Sequence, residues 1–171
     1  VVWGTVKDHN GYIDVQSTEG KGTTFTIYFP VTRERLPENE SHLAIESYSG
    51  NGESILIVDD VEEQRQIASG MLIEMGYSVI SVSSGEEAVE YLRTNKVHLL
   101  VLDMIMDPGM DGLDTYKKII EMHPDQKAII ASGFSETGRA KEVQGMGAGA
   151  CLRKPFLLEK IGFAVKEELE K

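Results

Sequence analysis

The clearest indication of the fold of this chain is the segment Ser54-Ile55-Leu56-Ile57-Val58-Asp59-Asp60. Four consecutive apolar residues lead into two acids, which is typical of a buried strand that ends at one edge of a parallel sheet. Apolar residues at helical spacing follow as far as Gly76, which indicates a helix after the strand. A strand-helix alternation therefore begins near residue 54.

The same alternation continues to the end of the chain. Further, mostly apolar runs lie at residues 79–82, 98–102, 128–131 and 150–152. A helical segment follows each of them, and the one from about Glu136 to Met146 is polar. Ser84, followed by Gly85 and two acids, is typical of a helix N-terminus. Five strand-helix units in about 118 residues predict an α/β fold with a doubly wound parallel sheet.

The residues before this alternation follow a different pattern. Alternating segments on both sides of Glu19-Gly20-Lys21-Gly22 predict a β-hairpin within residues 1–31. Residues 32–52 lose this periodicity and predict a linker to a domain at 53–171. A lone hairpin is marginal in water, and the chain starts without Met, so we expect a piece of a longer protein.

Charge and cysteine content narrow the class of function. The 171 residues include 17 basic and 28 acidic ones, for a net charge of −11. This excess argues against binding to nucleic acid or to an anionic membrane surface, which needs clustered Lys and Arg. One cysteine cannot form an internal disulfide, and no apolar run is long enough to span a bilayer. A reducing, cytoplasmic setting is expected.

Chemically useful side chains follow four of the five predicted strands. They are Asp59, Asp60, Asp103, Ser132 and Lys154. In open α/β sheets the ligand crevice lies outside the carboxyl ends of the strands. Three carboxylates at one point repel each other, and hard oxygen ligands favour Mg²⁺. A metal, an ammonium and a hydroxyl could stabilise a phosphoryl group in transfer to a carboxylate, with Asp103 as the candidate nucleophile.

These motifs also resemble a known family. Asp59-Asp60 with Arg65 behind it, Asp103 before Met-Asp-Pro-Gly-Met-Asp-Gly, Ser132-Gly133 and Lys154-Pro155-Phe156 are similar to the receiver domain of two-component response regulators. The resemblance covers roughly residues 53–171. It implies a flavodoxin-like five-stranded parallel sheet with strand order 2-1-3-4-5, here preceded by a hairpin remnant.

The resemblance also implies roles for individual residues. Asp103 would be the phosphoacceptor, and its donor would be a phosphohistidine of a kinase or phosphotransfer domain. Mg²⁺ would be bound by Asp60, by Asp59 mainly through water, by Asp103 and by the backbone carbonyl of Ile105. Ser132 and Lys154 would contact the phosphoryl oxygens and act in the conformational switch.

Residues 1–31 resemble the C-terminal end of a histidine-kinase ATP-binding domain, through Val6-Lys7-Asp8-His9-Asn10-Gly11-Tyr12-Ile13, Ser17–Phe25 and Phe29-Pro30. A hybrid histidine kinase would supply both parts. The family's ATP-binding motifs lie upstream of this match, and none of the four histidines lies in a phosphodonor-like helix. We therefore expect that this piece does not phosphorylate itself from ATP.

Three features depart from the family pattern. Asp107 lengthens the loop after Asp103 by one residue, which is either harmless or brings a carboxylate that perturbs metal affinity. Cys151 stands where receivers commonly place an aromatic switch residue, so a ring-rotation readout is in doubt. Ile105 and Phe134 cannot hydrogen-bond a hydrolytic water, which predicts slow autodephosphorylation.

Two other functions remain as alternatives. A receiver-like interaction domain that is not phosphorylated would keep the fold, but the complete set of site residues disfavours it. A Mg²⁺-dependent phosphatase with an aspartyl nucleophile would need an acid/base Asp two residues later, where Ile105 stands.

Overall fold

The computed structural model describes residues 2–31, 47–133 and 138–171. The chain divides into two compact units, residues 1–41 and 42–171. We call them the first unit and the second unit. Most of the predicted linker, residues 32–46, lies outside the described residues, so its boundaries stay a prediction.

The first unit contains the predicted hairpin. Strands β1 (Tyr12–Thr18) and β2 (Gly22–Tyr28) pair antiparallel, from Tyr12 opposite Tyr28 to Thr18 opposite Gly22. Gly20 and Gly22 have positive φ, which the turn between the strands requires. A short helix that was not predicted, α1 (Val2–Asp8), precedes the hairpin.

The second unit is built on one sheet of five parallel strands. They are β3 (Ser54–Val58), β4 (Ser78–Val82), β5 (Leu99–Asp103), β6 (Ala128–Ser132) and β7 (Cys151–Arg153). Their order in the sheet is β4-β3-β5-β6-β7. This is the predicted order 2-1-3-4-5 of a flavodoxin-like fold.

Helices follow the strands and cover both faces of the sheet. They are α2 (Glu62–Glu74), α3 (Gly85–Thr94), α4 (Gly112–Met122), α5 (Gly138–Gly145) and α6 (Leu158–Glu170). Two helix starts are capped by side chains: Ser84 accepts from the Glu87 amide, and Asp111 accepts from the Asp114 amide. The predicted N-terminus at Ser84 is thus confirmed.

Alternate strand residues point to opposite layers. Leu56 and Val58 pack in the core beneath α3, α4 and α5, whereas Ile55 and Ile57 pack in the core beneath α2 and α6. Both cores are fully buried along β3 and β5. Because the central strands are buried on both faces, their sequences are continuous apolar runs.

The segment just before β3 also belongs to the core of the second unit. Tyr48 is 2% exposed, and its ring lies 5.0 Å from that of Phe163 in edge-to-face contact. Tyr77 Oη donates to the Tyr48 carbonyl at 3.1 Å. These contacts attach Tyr48 to α6 and to Tyr77, the residue just before β4.

None of the helices within the described residues is both long enough and apolar enough to cross a membrane.

Candidate functional site

The carboxyl ends of β3 and β5 bring two aspartates together. Val58 and Leu102 are register partners in neighbouring strands, so Asp59 and Asp103 follow them side by side. Both aspartates are buried, with exposures of 3% and 6%. The sheet therefore brings Asp59 and Asp103 together, as predicted from their positions at strand ends.

Lys154 reaches this pair from beyond β7. Its Nζ donates to Asp103 Oδ2 at 2.7 Å and to Asp59 Oδ2 at 2.5 Å. The peptide bond that follows, Lys154-Pro155, is cis. An ammonium held between two buried carboxylates is a charge-assisted arrangement that fixes all three side chains.

Asp59, Asp60 and Asp103 form a group that fits a divalent cation. Each offers a carboxylate oxygen, and these oxygens all lie within 4.8 Å of one another. Hard oxygen ligands of this kind suit Mg²⁺, which is commonly held by one or two carboxylates together with waters and a phosphate oxygen. The donor set thus has the chemistry that the predicted Mg²⁺ requires.

Burial raises the pKa of the Asp103 carboxyl above its usual value. The hydrogen bond and charge of Lys154 and the Ile105 amide act in the opposite direction, and the charge of Asp59 raises the pKa slightly further. One ammonium does not neutralise three carboxylates. A bound divalent cation would reduce the remaining repulsion.

Two hydrogen bonds hold the backbone of the turn that leads from β3 into α2. The Val61 amide donates to Asp59 Oδ1 at 2.9 Å, and Arg65 Nη1 donates to the Asp59 carbonyl oxygen at 2.6 Å. Arg65 is therefore more than a surface residue behind the acidic pair, because it fixes the turn from β3 into α2.

The loop after β5 also contacts the acids. The Ile105 amide donates to Asp103 Oδ1 at 3.3 Å, and the Asp107 amide donates to Asp60 Oδ2 at 3.3 Å. The Asp107-Pro108 bond is cis. Asp107, the predicted additional residue, thus approaches the acidic group through its main chain. The predicted role of the Ile105 carbonyl as a metal ligand stays a prediction.

Ser132 and Cys151 occupy neighbouring positions of the sheet. Ser132 is fully buried at the end of β6 and follows Ala131, the register partner of Asp103. Its carbonyl accepts from the Lys154 amide at 2.8 Å. Cys151 begins β7 opposite Ile130 and is half-buried against the core beneath α3, α4 and α5. Phe134, the second residue on which the predicted slow autodephosphorylation depends, lies outside the described residues.

Sequence reasoning did not single out Glu86. Its Oε1 accepts from the Met110 amide at 2.9 Å and so attaches α3 to the loop after β5. In the sequence, Glu86 looks like an ordinary acid in the first turn of a helix. Its hydrogen bond with the Met110 amide joins residues that are 24 positions apart. No local signal could have revealed it.

Comparison with known proteins agrees with this geometry. The model of the response regulator receiver domain matches residues 55–166. The chain belongs to the receiver domain family. This confirms the family resemblance drawn from the strand-end motifs.

Two curated proteins of very different length are similar to this chain. The sensor kinase CckA of Brucella abortus is 33% identical over 181 aligned positions, which cover 100% of this chain and 19% of the kinase. The chain thus spans about a fifth of that relative's length. The sporulation initiation phosphotransferase F of Bacillus subtilis is 31% identical, over 68% of this chain and 94% of the relative.

A solved structure shows the same fold. It is a CheY-like response regulator receiver domain protein from Methanospirillum hungatei, with a TM-score of 0.65 and 24% identity. The alignment covers 70% of this chain and 94% of that protein. The flavodoxin-like fold is therefore confirmed both by topology and by comparison.

Proposed function

We propose that the second unit accepts a phosphoryl group on Asp103 in a Mg²⁺-dependent reaction and changes conformation in response. The observation that carries this proposal is the contact of Lys154 Nζ with Asp103 Oδ2, at 2.7 Å, beside the carboxylates of Asp59 and Asp60. A buried carboxylate with an ammonium at its oxygen and a cation-binding group beside it suits acyl phosphate formation.

The donor is the phosphohistidine of a kinase or phosphotransfer domain. A carboxylate oxygen of Asp103 attacks phosphorus in line with the phosphorus-nitrogen bond. That bond breaks, its electron pair stays on the imidazole nitrogen, and an aspartyl phosphate forms. A proton on the other ring nitrogen of the phosphohistidine lets the ring leave as neutral imidazole.

Each neighbouring group has one task in this step. Lys154 stays beside the Asp103 oxygen that bonds to phosphorus and balances charge on the phosphoryl oxygens. Asp59, Asp60, Asp103 and the Ile105 carbonyl would hold Mg²⁺. When bound, the cation supplies charge neutralisation between the incoming phosphoryl group and the carboxylates. Ser132 would donate its hydroxyl to a phosphoryl oxygen after transfer.

The context of the reaction is also part of the proposal. A hybrid histidine kinase in the cytoplasm would join this receiver to a kinase ATP-binding domain, whose C-terminal end residues 1–31 resemble. Similarity to the sensor kinase CckA over the whole chain supports that arrangement. Because Cys151 has no ring, we expect the switch to run through Ser132 and the loop that follows it.

Intact-protein mass spectrometry tests the proposal. Incubation with acetyl phosphate and Mg²⁺ is expected to add one phosphoryl group to the wild type and none to Asp103→Asn. Asp125→Asn is a matched control, because Asp125 is exposed in the turn after α4. Absence of the adduct from the wild type, together with no response to beryllofluoride, would favour the alternative of a receiver-like interaction domain.

A further inference from the structure

The lengthened loop after β5 is held at one end by α3. The Met110 amide donates to Glu86 Oε1 at 2.9 Å. Gly109 beside it has φ +124°, and a Cβ at this position would lie 2.8 Å from the same Glu86 oxygen. The loop therefore needs a glycine here for both its backbone conformation and its close approach to the carboxylate.

The other end of the same loop meets the acidic group. The Asp107 amide donates to Asp60 Oδ2 at 3.3 Å. Asp107 is the residue predicted from the sequence to be the additional one in this loop. The segment 107–110 thus connects Glu86, outside the site, with Asp60, one of the three carboxylates that fit a cation.

We propose that Glu86 is a positioning residue for the metal site, because it holds the lengthened loop where the Asp107 amide orients the Asp60 carboxylate. This inference rests on the proposed Mg²⁺ site and adds a residue to it. Asp60 is the exposed member of the acidic group, so its carboxylate has the most freedom to turn away from a cation. An amide on one oxygen restricts that rotation.

The electrostatics of Glu86 support this role. The Met110 amide lowers the pKa of the Glu86 carboxyl, so the group is ionised and accepts hydrogen bonds at neutral pH. Hydrogen bonds to charged groups are stronger than neutral ones. Groups that orient metal ligands commonly change metal affinity by about 10–100-fold when removed. An exposed group that acts through a loop should have a smaller effect.

A simpler role for Glu86 makes a different prediction. An acid in the first turn of α3 stabilises that helix through the helix dipole. If this were its whole role, Glu86→Ala would lower stability slightly and leave metal affinity unchanged. Metal affinity, rather than stability, therefore separates the two roles.

The test measures metal binding without any reaction. Mn²⁺, which prefers the same oxygen ligands as Mg²⁺, is titrated into the full chain, and the free ion is followed by electron paramagnetic resonance. Glu86→Ala is expected to weaken Mn²⁺ binding by about 3- to 10-fold, below the usual range for a directly bonded partner. Glu86→Gln keeps an acceptor and should remain within about twofold of the wild type.

Two further variants sharpen the test. Gly109→Ala places a Cβ against the Glu86 oxygen and should weaken Mn²⁺ binding like Glu86→Ala, although Glu86 is intact. Glu90→Ala is the matched control, because Glu90 is an exposed acid one turn further along α3. It should bind Mn²⁺ like the wild type. With acetyl phosphate, Glu86→Ala should need more Mg²⁺ but reach the wild-type rate at saturation.

Three results would overturn the inference: wild-type Mn²⁺ affinity in Glu86→Ala, equal weakening in Glu86→Ala and Glu90→Ala, or Glu86→Gln as weak as Glu86→Ala. The last result would mean that charge acts without the hydrogen bond. If the wild type and Asp60→Asn bound Mn²⁺ equally, the metal site of the proposed function would itself be wrong. That outcome is distinct, because it does not depend on Glu86.

Discussion

Lys154 Nζ lies 2.7 Å from Asp103 Oδ2, and both side chains are more than nine-tenths buried. The lysine follows the edge strand β7, whereas the aspartate ends the central strand β5, so its side chain reaches past β6. The contact places a fixed positive charge at the carboxylate oxygen that is proposed to attack phosphorus. Stability and phosphoryl transfer therefore depend on the same pair.

Replacement of Lys154 should destabilise the receiver. Lys154→Met leaves Asp59 and Asp103 buried without their ammonium partner, and breaking a buried ion pair in this way costs about 3–5 kcal/mol. The loss is expected in urea unfolding with EDTA present. It should be smaller with Mg²⁺, which replaces part of the lost charge. The exposed Lys160→Met is the control, and an equal loss with and without Mg²⁺ would contradict this account.

Stability should depend on pH through Asp103, whose native pKa is raised mainly by burial. Between the unfolded pKa, about 3.9, and the raised native pKa, the native state binds more protons than the unfolded state. This group's contribution to stability therefore falls as pH rises through that window and stays low above it.

The Asp103→Asn variant checks this dependence. In metal-free buffer at pH 7 it should raise the Tm of the second unit, by about 4 °C for each 1 kcal/mol gained in a domain of about 130 residues. The gain should shrink at pH 4, where the wild-type carboxyl is more protonated. Thermal unfolding across pH 4–7 measures it, with Asp125→Asn for comparison. A gain that does not change with pH would rule out titration of Asp103 as its cause.

Arg65 should affect both the turn after β3 and metal affinity. Arg65→Met removes the donor to the Asp59 carbonyl, so we expect a loss of about 1.5–3 kcal/mol in unfolding free energy. We also expect Mg²⁺ binding about 10-fold weaker, as for other groups that orient ligands. Arg65→Lys should restore part of the stability and part of the Mg²⁺ affinity. Arg93→Met, at an exposed position of α3, should change neither quantity. Unchanged Mg²⁺ dependence in Arg65→Met would limit this residue to a structural role.

The aspartyl phosphate should be long-lived. Ile105 is 55% exposed and cannot hydrogen-bond a water beside the phosphoryl group. Ile105→Asn should shorten the lifetime, because an amide can orient the attacking water. Intact mass followed over time after removal of acetyl phosphate measures this lifetime. Ile73→Asn, on an exposed position of α2, should not alter it, and a lifetime of seconds for the wild type would contradict the prediction.

Tyr48 should be needed for the stability of the second unit. Tyr48→Ala removes a fully buried ring that contacts Phe163 and Gly162, and large aromatic truncations in cores cost about 3–5 kcal/mol. Urea unfolding of the full chain checks this. Tyr12→Ala removes a ring that is 63% exposed in the first unit and should change the unfolding of the second unit little. Equal effects of both variants would exclude a specific anchoring role for Tyr48.

Local sequence patterns predicted the helices and strands well where the same pattern of burial runs along the whole element. The β3 and β5 strands are buried on both faces and therefore appear as apolar runs, and Ser84 is capped as its sequence indicates. Elements whose burial depends on residues distant in sequence were harder to predict from the sequence. Helix α1 was not predicted. The packing of Tyr48 was not predicted either, because Tyr48 stands near polar residues and its ring packs against Phe163, which is distant in sequence.

Sequence patterns alone were enough to predict that the site residues stand at strand ends, either as the last residue of a strand or just after it, and hence that they meet at one edge of the sheet. These residues are Asp59, Asp60, Asp103, Ser132 and Lys154. Their order and spacing also determined the family. This was possible because strand ends are set by local hydrophobic periodicity, and parallel strands share one carboxyl edge.

The individual atomic contacts became known only from the folded structure. Lys154 and Asp59 are 95 residues apart, and Asp60 and Asp107 are 47 apart, yet each pair is in hydrogen-bond contact. Such contacts depend on strand order, side-chain reach and the path of the lengthened loop, none of which is encoded in a short window of sequence. The same reason explains why Glu86 emerged only from its contact with the Met110 amide.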